Sequence, residues 1–308
     1  MNYYNEIKEQ IINNEITKRV KDFSKNRSDL NTYYNVGKLL SEAGKHYGEG
    51  IIKEYSRKLT LEIGNGYGVS NLKRMRQFYY IIEKGVAMPH QLSWSHIIAL
   101  LPIDNKDAIN YYICLAENLN LPYRELRTRI RNNEYERLDE NTKLKLIKKE
   151  DSQIKDLIKN PIIIKYSNNY EIISEKILQK FILDDIENFM KELGNSFCFI
   201  GSEYKIKLGN TYNYIDLLLF NYEYNCFVVV ELKVTELKKE HIGQIQVYMN
   251  YIDNNLKKIN QDKTIGIIIC KKNNKYIIEY CSDDRIIARE YQLVWYYVIL
   301  IMVMIWKF

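Results

Sequence analysis

Two apolar runs, Tyr214–Phe220 (YIDLLLF) and Cys226–Val234 (CFVVVELKV), stand either side of a short polar turn, Asn221–Asn225. Apolar runs of this length bounded by turn residues fold as the two strands of a β-hairpin. Centring the hairpin between Glu223 and Tyr224 makes facing residue numbers sum to 447, which sets Asp216 opposite Glu231. Facing residues project to the same side of a sheet with Cβ atoms about 5 Å apart, and Lys233 joins that side two residues further on. Two carboxylates and an ammonium embedded in hydrophobic strands are costly to bury unless something compensates. A divalent cation does so, because Mg²⁺ takes carboxylate oxygens and keeps several waters. Such an ion polarises a phosphate and helps generate hydroxide, while a lysine neutralises charge or orients the attacking water. The alternative is a solvated cross-strand cluster on an outward-facing sheet.

The rest of the chain fits two domains. Its 308 residues suffice for two hydrophobic cores. Helical spacing of apolar residues runs from Tyr3 to about Ala43, with Tyr33, Tyr34, Val36, Leu39 and Leu40 on one stripe. A second helix is expected from Gly50 to Ile63, closed by Gly64-Asn65-Gly66-Tyr67-Gly68, and Ser70 reads as the N-cap of a third from Asn71 to Lys84. Further helices are expected over Ser95–Leu101, Lys106–Asn118 and Tyr123–Asn132, and a charged stretch, Lys143–Lys159, leads to Asn160-Pro161. The boundary is set near residue 150, giving an all-α domain over 1–150 and a second domain over 151–308. The second opens with an amphipathic helix, Glu171–Leu193, ending at Gly194. Strands follow at Cys198–Leu208, Tyr212–Phe220 and Cys226–Val234, then a helix from Lys238 to Asp253, then strands near Thr264–Cys270, Tyr276–Cys281 and Ile286–Leu293. That order predicts an α/β domain, a mixed sheet flanked by helices.

Composition narrows the partners. A net charge of +6 and a pI of about 8.8 are compatible with a polyanion such as nucleic acid. Five scattered cysteines without a CxxC pair argue against a zinc or disulfide framework and for a reducing, cytoplasmic compartment. The four histidines form no metal-binding pattern. Met1–Gln10 is polar, so no secretory leader is expected. Val294–Trp306 is apolar throughout, but its 13 residues fall short of the roughly 20 that span a bilayer. No membrane span is expected, and a tail of this kind would pack into a dimer interface of a homo-oligomer or promote aggregation.

In the helical half, Asn71, Lys73, Arg74 and Arg76 begin a helix just after a glycine turn. This suits a helix-turn-helix-like reader with those residues near phosphates or base edges. The alternative is a solvated basic face over a core stripe of Leu72, Met75 and Tyr79. The glycine run GNGYG matches no phosphate-binding fingerprint.

Asp216, the 15-residue spacing and Glu231-Leu232-Lys233 resemble the signature of the PD-(D/E)XK nuclease superfamily, with Ile215 where proline often stands. Gly243-Gln244-Ile245-Gln246-Val247-Tyr248 matches a QxxxY pattern of several branches. With Tyr214–Leu218, Val228–Lys233, Val36-Gly37-Lys38, Tyr67–Leu72, Met75–Tyr79 and Trp94-Ser95-His96, the chain is similar to the YhcG-like family from about residue 30 to Leu293. The resemblance implies a restriction-endonuclease-like fold and a Mg²⁺- or Mn²⁺-dependent endonuclease acting on nucleic acid, with DNA the expected substrate. Asp216 and Glu231 would be metal ligands, Lys233 the catalytic lysine, and Gln244 an accessory catalytic residue with Tyr248 one turn on, near the substrate. Glu175, at the start of the preceding helix, would add an acid, though it reads equally as a first-turn acid favoured by the helix dipole. At Gly201-Ser202-Glu203 the family's usual Gly-Arg-Gln is absent, and Lys205 and Lys207 would supply the missing positive charge. The helical half would select substrate or protein partner. A catalytically inactive nucleic-acid-binding protein or an assembly subunit of a restriction or mobile-element system is the rival reading.

Overall fold

Glycine at position 37 lets two helices touch backbone to backbone: a Cβ there would lie 2.2 Å from the carbonyl oxygen of Met75. In the computed structural model, which describes residues 3–19, 25–148, 150–151, 153–167, 170–281 and 283–295, this contact joins the second and fourth helices. The first of two units, Met1–Glu136, contains α1 (Tyr3–Arg19), α2 (Lys25–Tyr47), α3 (Ile51–Glu62) and α4 (Val69–Glu83). It continues with α5 (Trp94–Leu100), α6 (Lys106–Asn118) and α7 (Tyr123–Arg131). The helical spacing is expressed as a core: Ile7, Val36, Leu40, Ile52, Leu59, Leu72 and Met75 are buried together. The helical spacing over Tyr3–Ala43 is carried by α1 and α2, with 20–24 outside the described residues. Helix α4 starts at Val69 with Gly68 as N-cap, not Ser70, because the extended backbone of Gly68 leads directly into the first turn.

The second unit runs from Arg137 to Phe308. Its division from the first lies ahead of residue 150 because α8 (Glu140–Lys148) is tied to α9 (Ile154–Leu157), and Ile154 and Ile158 are buried in the core of the sheet domain. Thr142 and Lys145 both bind the Asp156 carboxylate, which caps α9 at the Gln153 N–H. The guanidinium of half-buried Arg137 forks onto buried Glu192 and also donates to Pro161 O. Removing one partner of such a pair leaves an uncompensated charge and costs about 3–5 kcal/mol.

The sheet holds β1 (Ile162–Tyr166), β2 (Phe197–Leu208), β3 (Thr211–Asn221), β4 (Cys226–Glu236), β5 (Ile265–Lys272) and β6 (Ile286–Trp295). Their order is β1-β6-β5-β4-β3-β2, with β1, β6, β5 and β4 parallel and β3 and β2 antiparallel. Both faces are covered, which is why β4 and β5 read as nearly continuous apolar runs. Leu217, Leu219, Val228, Val230 and Leu232 pack against α10 (Glu175–Asp184) and α11 (Ile186–Leu193). Leu218, Val229 and Ile268 face α12 (Lys239–Asn255) through Ile245, Tyr248, Met249 and Ile252. The mixed sheet flanked by helices, and the all-α half before it, are as the sequence predicts.

Three elements differ from expectation. The helix foreseen over Glu171–Leu193 is broken at Asp185, whose carboxylate caps α11 by accepting from Asn188 N. Of Tyr276–Cys281, foreseen as a strand, Tyr276–Glu279 lies on α13 (Lys275–Glu279) and Tyr280 is its C-cap. Strand β5 has β4 on one edge and β6 on the other, so no edge is free for it, and parallel β5 and β6 require a crossover. Strand β1 was not foreseen; it pairs with β6, Ile164 beside Leu293. No helix among the described residues is long and apolar enough to cross a membrane. Of the apolar tail, Val294 and Trp295 end β6, and 296–308 lie outside the described residues.

Gly266 is the second close approach, where a Cβ would lie 2.6 Å from Met249 Sδ and 2.8 Å from Ile245 Cδ1. Because Gly37 meets backbone and Gly266 only flexible side-chain ends, Gly37→Ala is expected to destabilise more than Gly266→Ala. The latter should fall within the 1–3 kcal/mol typical of overpacking, roughly. Urea unfolding of both variants measures the difference, and equal midpoints would contradict the packing described.

Candidate active site

The hairpin register is the one that residue numbers summing to 447 describe: Leu217 pairs with Val230, Leu218 with Val229 and Phe220 with Phe227. The paired ladder ends there, one step short of Asp216 and Glu231. Asp216 turns its carboxylate across the parting strands, and Oδ2 accepts a 2.8 Å hydrogen bond from Leu232 N. Behind it, Gln179 of α10 donates to the Asp216 carbonyl at 2.9 Å, which anchors the strand at this point.

The neighbouring strand is distorted at the same level. The β2–β3 ladder pairs Ser202 with Leu217 and Tyr204 with Ile215, and skips Glu203 and Asp216 between them. Glu203 has φ +47°, a left-handed conformation uncommon for a non-glycine residue. Ile215 consequently packs with Leu218 on the α12 side and not with Leu217. A local break of this kind re-aims side chains, as bulges beside active sites do.

Glu231 and Lys233 are brought together with Asp216. Glu231 is 1% exposed and Lys233 is 7% exposed. Lys233 Nζ stands 3.3 Å from Glu231 Oε2 and 3.5 Å from Glu175 Oε2. Glu175 opens α10 immediately after its N-cap Ser174, whose hydroxyl accepts from Ile177 N, and it is part-exposed. The acid at the helix start therefore reaches the lysine of the pair, and the helix-dipole reading of Glu175 holds at the same time.

The electrostatics follow from burial. Glu231 is pushed up to about 8 by burial and by the Asp216 charge, against the pull of Lys233. Asp216 is raised by burial, less the effect of the Leu232 N–H, with Lys233 opposing and Glu175 and Glu203 adding to the rise. For Lys233, burial works against the ammonium, but Glu231, Glu175 and Asp216 together outweigh it and the pKa is raised. Glu231 Oε1 is buried without a hydrogen-bond partner. Two adjacent carboxylates that resist ionising, one with an orphaned oxygen, are the donor set a hard divalent cation stabilises. Among the described residues no three His, Cys, Asp or Glu side chains lie close enough together to hold an ion. Asp216 and Glu231 are two acids at this point of the sheet, and Mg²⁺ bound by one or two carboxylates commonly completes its shell with water and phosphate.

The other expected residues are distributed differently. Gln244 Nε2 donates to Tyr248 OH at 3.2 Å, so the two are joined to each other and neither hydrogen-bonds to the acids. Lys205 and Lys207 are exposed on β2, Lys205 lying 3.8 Å over the Tyr212 ring. In the helical unit, Asn71 is engaged internally: it donates to Gly66 O and accepts from Trp94 Nε1. Arg76 is ion-paired with Glu49 at 2.7 Å, while Lys73 and Arg74 are exposed. Leu72 and Met75 are buried, as the core-stripe alternative has it.

One residue near the acids escaped the sequence reading. His241, in the first turn of α12, shares a face with Gln244 and Tyr248 by its spacing of three and seven. Its Nδ1 accepts from Lys238 N, which leaves the neutral ring's proton on Nε2. Burial and then the Lys233 charge hold its pKa below the usual value. Only the helical spacing to Gln244 could have signalled it.

Residues 155–297 match the family model described as the YhcG PDDEXK nuclease domain, and residues 6–137 match the DUF1016 N-terminal domain. The chain belongs to the YhcG-like family. Its second unit is a PD-(D/E)XK nuclease domain. A relative from Escherichia coli (strain K12), named "Putative nuclease YhcG", is 23% identical over 309 aligned residues, covering 85% of this chain and 82% of that protein. Among solved structures, a repair endonuclease from Pyrococcus abyssi is 16% identical over 42% of this chain and 49% of its own, with a TM-score of 0.28. An EndoMS–dsDNA complex is 18% identical over 42% of this chain and 48% of its own, also with a TM-score of 0.28. The chain spans about half the length of these structures. Likenesses this slight add nothing to the assignment.

Burial of Glu231 has a consequence for stability. A carboxyl raised from 4.5 to about 8 binds its proton more tightly folded than unfolded, so stability falls as pH rises through that window. In chelator, the melting temperature should decline between about pH 5 and pH 8.5, and Glu231→Gln should flatten the decline. An unchanged slope in the variant would contradict the burial described.

Proposed function

We propose that the chain is a divalent-metal-dependent endonuclease that hydrolyses phosphodiester bonds of DNA, using Mg²⁺ or Mn²⁺, with the helical unit selecting substrate or partner. The observation that carries the reading is the pairing of half-buried Asp216 with buried Glu231, with Glu231 Oε1 unpartnered and Lys233 Nζ 3.3 Å from Oε2. Asp216 and Glu231 would hold the ion. When bound, it supplies Lewis-acid polarisation of the phosphate and lowers the pKa of a water to be used as nucleophile.

The chain's own groups do the remaining work. Leu232 N–H fixes the orientation of the Asp216 carboxylate, so one oxygen is committed and the other is free to bind. Lys233, held ammonium by Glu231, Glu175 and Asp216, is a fixed positive charge for the extra negative charge that develops on phosphorus oxygens. Glu175 tethers that ammonium from the other side and limits where it can swing. His241 Nε2–H adds a neutral donor on the adjacent helix. Gln244 and Tyr248, joined to each other, present an amide and a phenol on the same helical face for the substrate. All five cysteines are free, which suits the reducing cytoplasm.

Purified protein with supercoiled plasmid and Mg²⁺ or Mn²⁺ tests the reading. Nicking or linearisation is expected and should stop in chelator. Asp216→Ala and Lys233→Ala should each reduce the rate by about 10²–10³, the scale of losing one electrostatic stabiliser. Metal-dependent cleavage that persists undiminished in both variants would refute the site.

A further inference from the structure

Helix α7, YRELRTRIR, carries four arginines and one glutamate in nine residues. Arg124, Arg127 and Arg131 are exposed, and their spacing of three and then four puts them on one face. None of the three has an acidic partner among the described residues. The helix's own acid is already committed: Glu125 Oε1 accepts from Arg129 Nε at 3.2 Å, and Arg129 is buried and also paired with Glu134.

Helix stability does not account for the row. A cation in the last turn is favoured by the helix dipole, which covers Arg131. Arg124 lies in the first turn, where the dipole favours an acid and disfavours a cation. The contrast with α4 is informative, since Asn71 and Arg76 there are used internally and only Lys73 and Arg74 remain exposed.

The spacing matches a polyanion with regular charges. At 1.5 Å per residue the Cα atoms of the three arginines are separated by about 4.5 and about 6 Å along the axis, roughly 10 Å in all. Three steps of one DNA strand at about 3.4 Å cover the same length. Arginine also presents a planar fork of donors suited to phosphate oxygens.

We propose that the exposed face of α7 is a DNA-backbone contact, with Arg124, Arg127 and Arg131 each taking a phosphate. The inference rests on the nuclease reading for the identity of the polyanion, and it assigns to α7 the substrate contact expected of the helical unit at α4.

The test is fluorescence anisotropy of the full chain on a labelled DNA duplex, in chelator, over a salt series. For the triple variant Arg124→Gln/Arg127→Gln/Arg131→Gln, affinity at low salt should weaken at least about tenfold, and the slope of log K against log salt should shrink by about 2–3, since each lost phosphate contact removes about 0.9. Lys73→Gln/Arg74→Gln should change the slope less. If the triple variant melts early, the single variants Arg124→Gln and Arg127→Gln are read instead, each expected to remove about 0.9 from the slope. Unchanged affinity and slope in folded variants overturn the proposal. So does competition by polyglutamate as effective as by unlabelled duplex at equal charge. Because binding is read without metal, the two readings fail separately: a lost slope with no plasmid cleavage sinks only the nuclease, and cleavage with an unchanged slope sinks only the α7 contact.

Discussion

A carboxylate in the centre of a doubly covered sheet must be matched by something, and the site is arranged around that requirement. Glu231 lies on β4 between apolar neighbours that belong to the core, with β5 on one side and β3 on the other. Desolvation alone would hold it protonated. Lys233 offsets part of that cost from two residues along the strand, and Glu175 and Asp216 in turn keep Lys233 charged. Each group is intelligible only with the others, which is why removing one partner of such a cluster is worse than replacing all of it.

How the strands part is the second constraint. Had the β3–β4 ladder continued one step, Asp216 and Glu231 would be an ordinary cross-strand pair with their backbones satisfied by each other. Instead Leu232 N–H is given to the Asp216 side chain, and Gln179 takes the Asp216 carbonyl. The backbone groups released by the opening are thus satisfied by side chains, as buried polar groups require. The opening leaves the two carboxylates at the mouth of a fork and not within a closed ladder.

Much of this was legible in the sequence. The polar turn gave the register of the hairpin to the residue, since centring it between Glu223 and Tyr224 sets every facing pair. The order of helices and strands gave the sheet class, and helical spacing gave the core of the first unit. What escaped depends on long-range context. Strand β1 is five residues whose partner lies more than a hundred positions away, and α13 has the β-branched composition of a strand but lies in the crossover between parallel β5 and β6. The engagement of Asn71 by Trp94 and of Arg76 by Glu49 is likewise invisible to local pattern. A basic helix is easily read from sequence, but which of its cations are free is decided by the acids that the fold brings near.

Glu203 shows how one substitution can bear on a site without touching it. A position at φ +47° is one where glycine, asparagine or aspartate is the easier choice, and a left-handed glutamate carries a backbone cost of about 1–2 kcal/mol. Its exposed carboxylate also adds to the rise of the Asp216 pKa, behind burial and the Glu175 charge. The extra acid therefore makes the pair harder to ionise and the gain from a bound cation larger. A positive side chain at that level of β2 would do the opposite, stabilising the ionised acids and competing with the cation for them. Lys233 is the cation that acts on both acids.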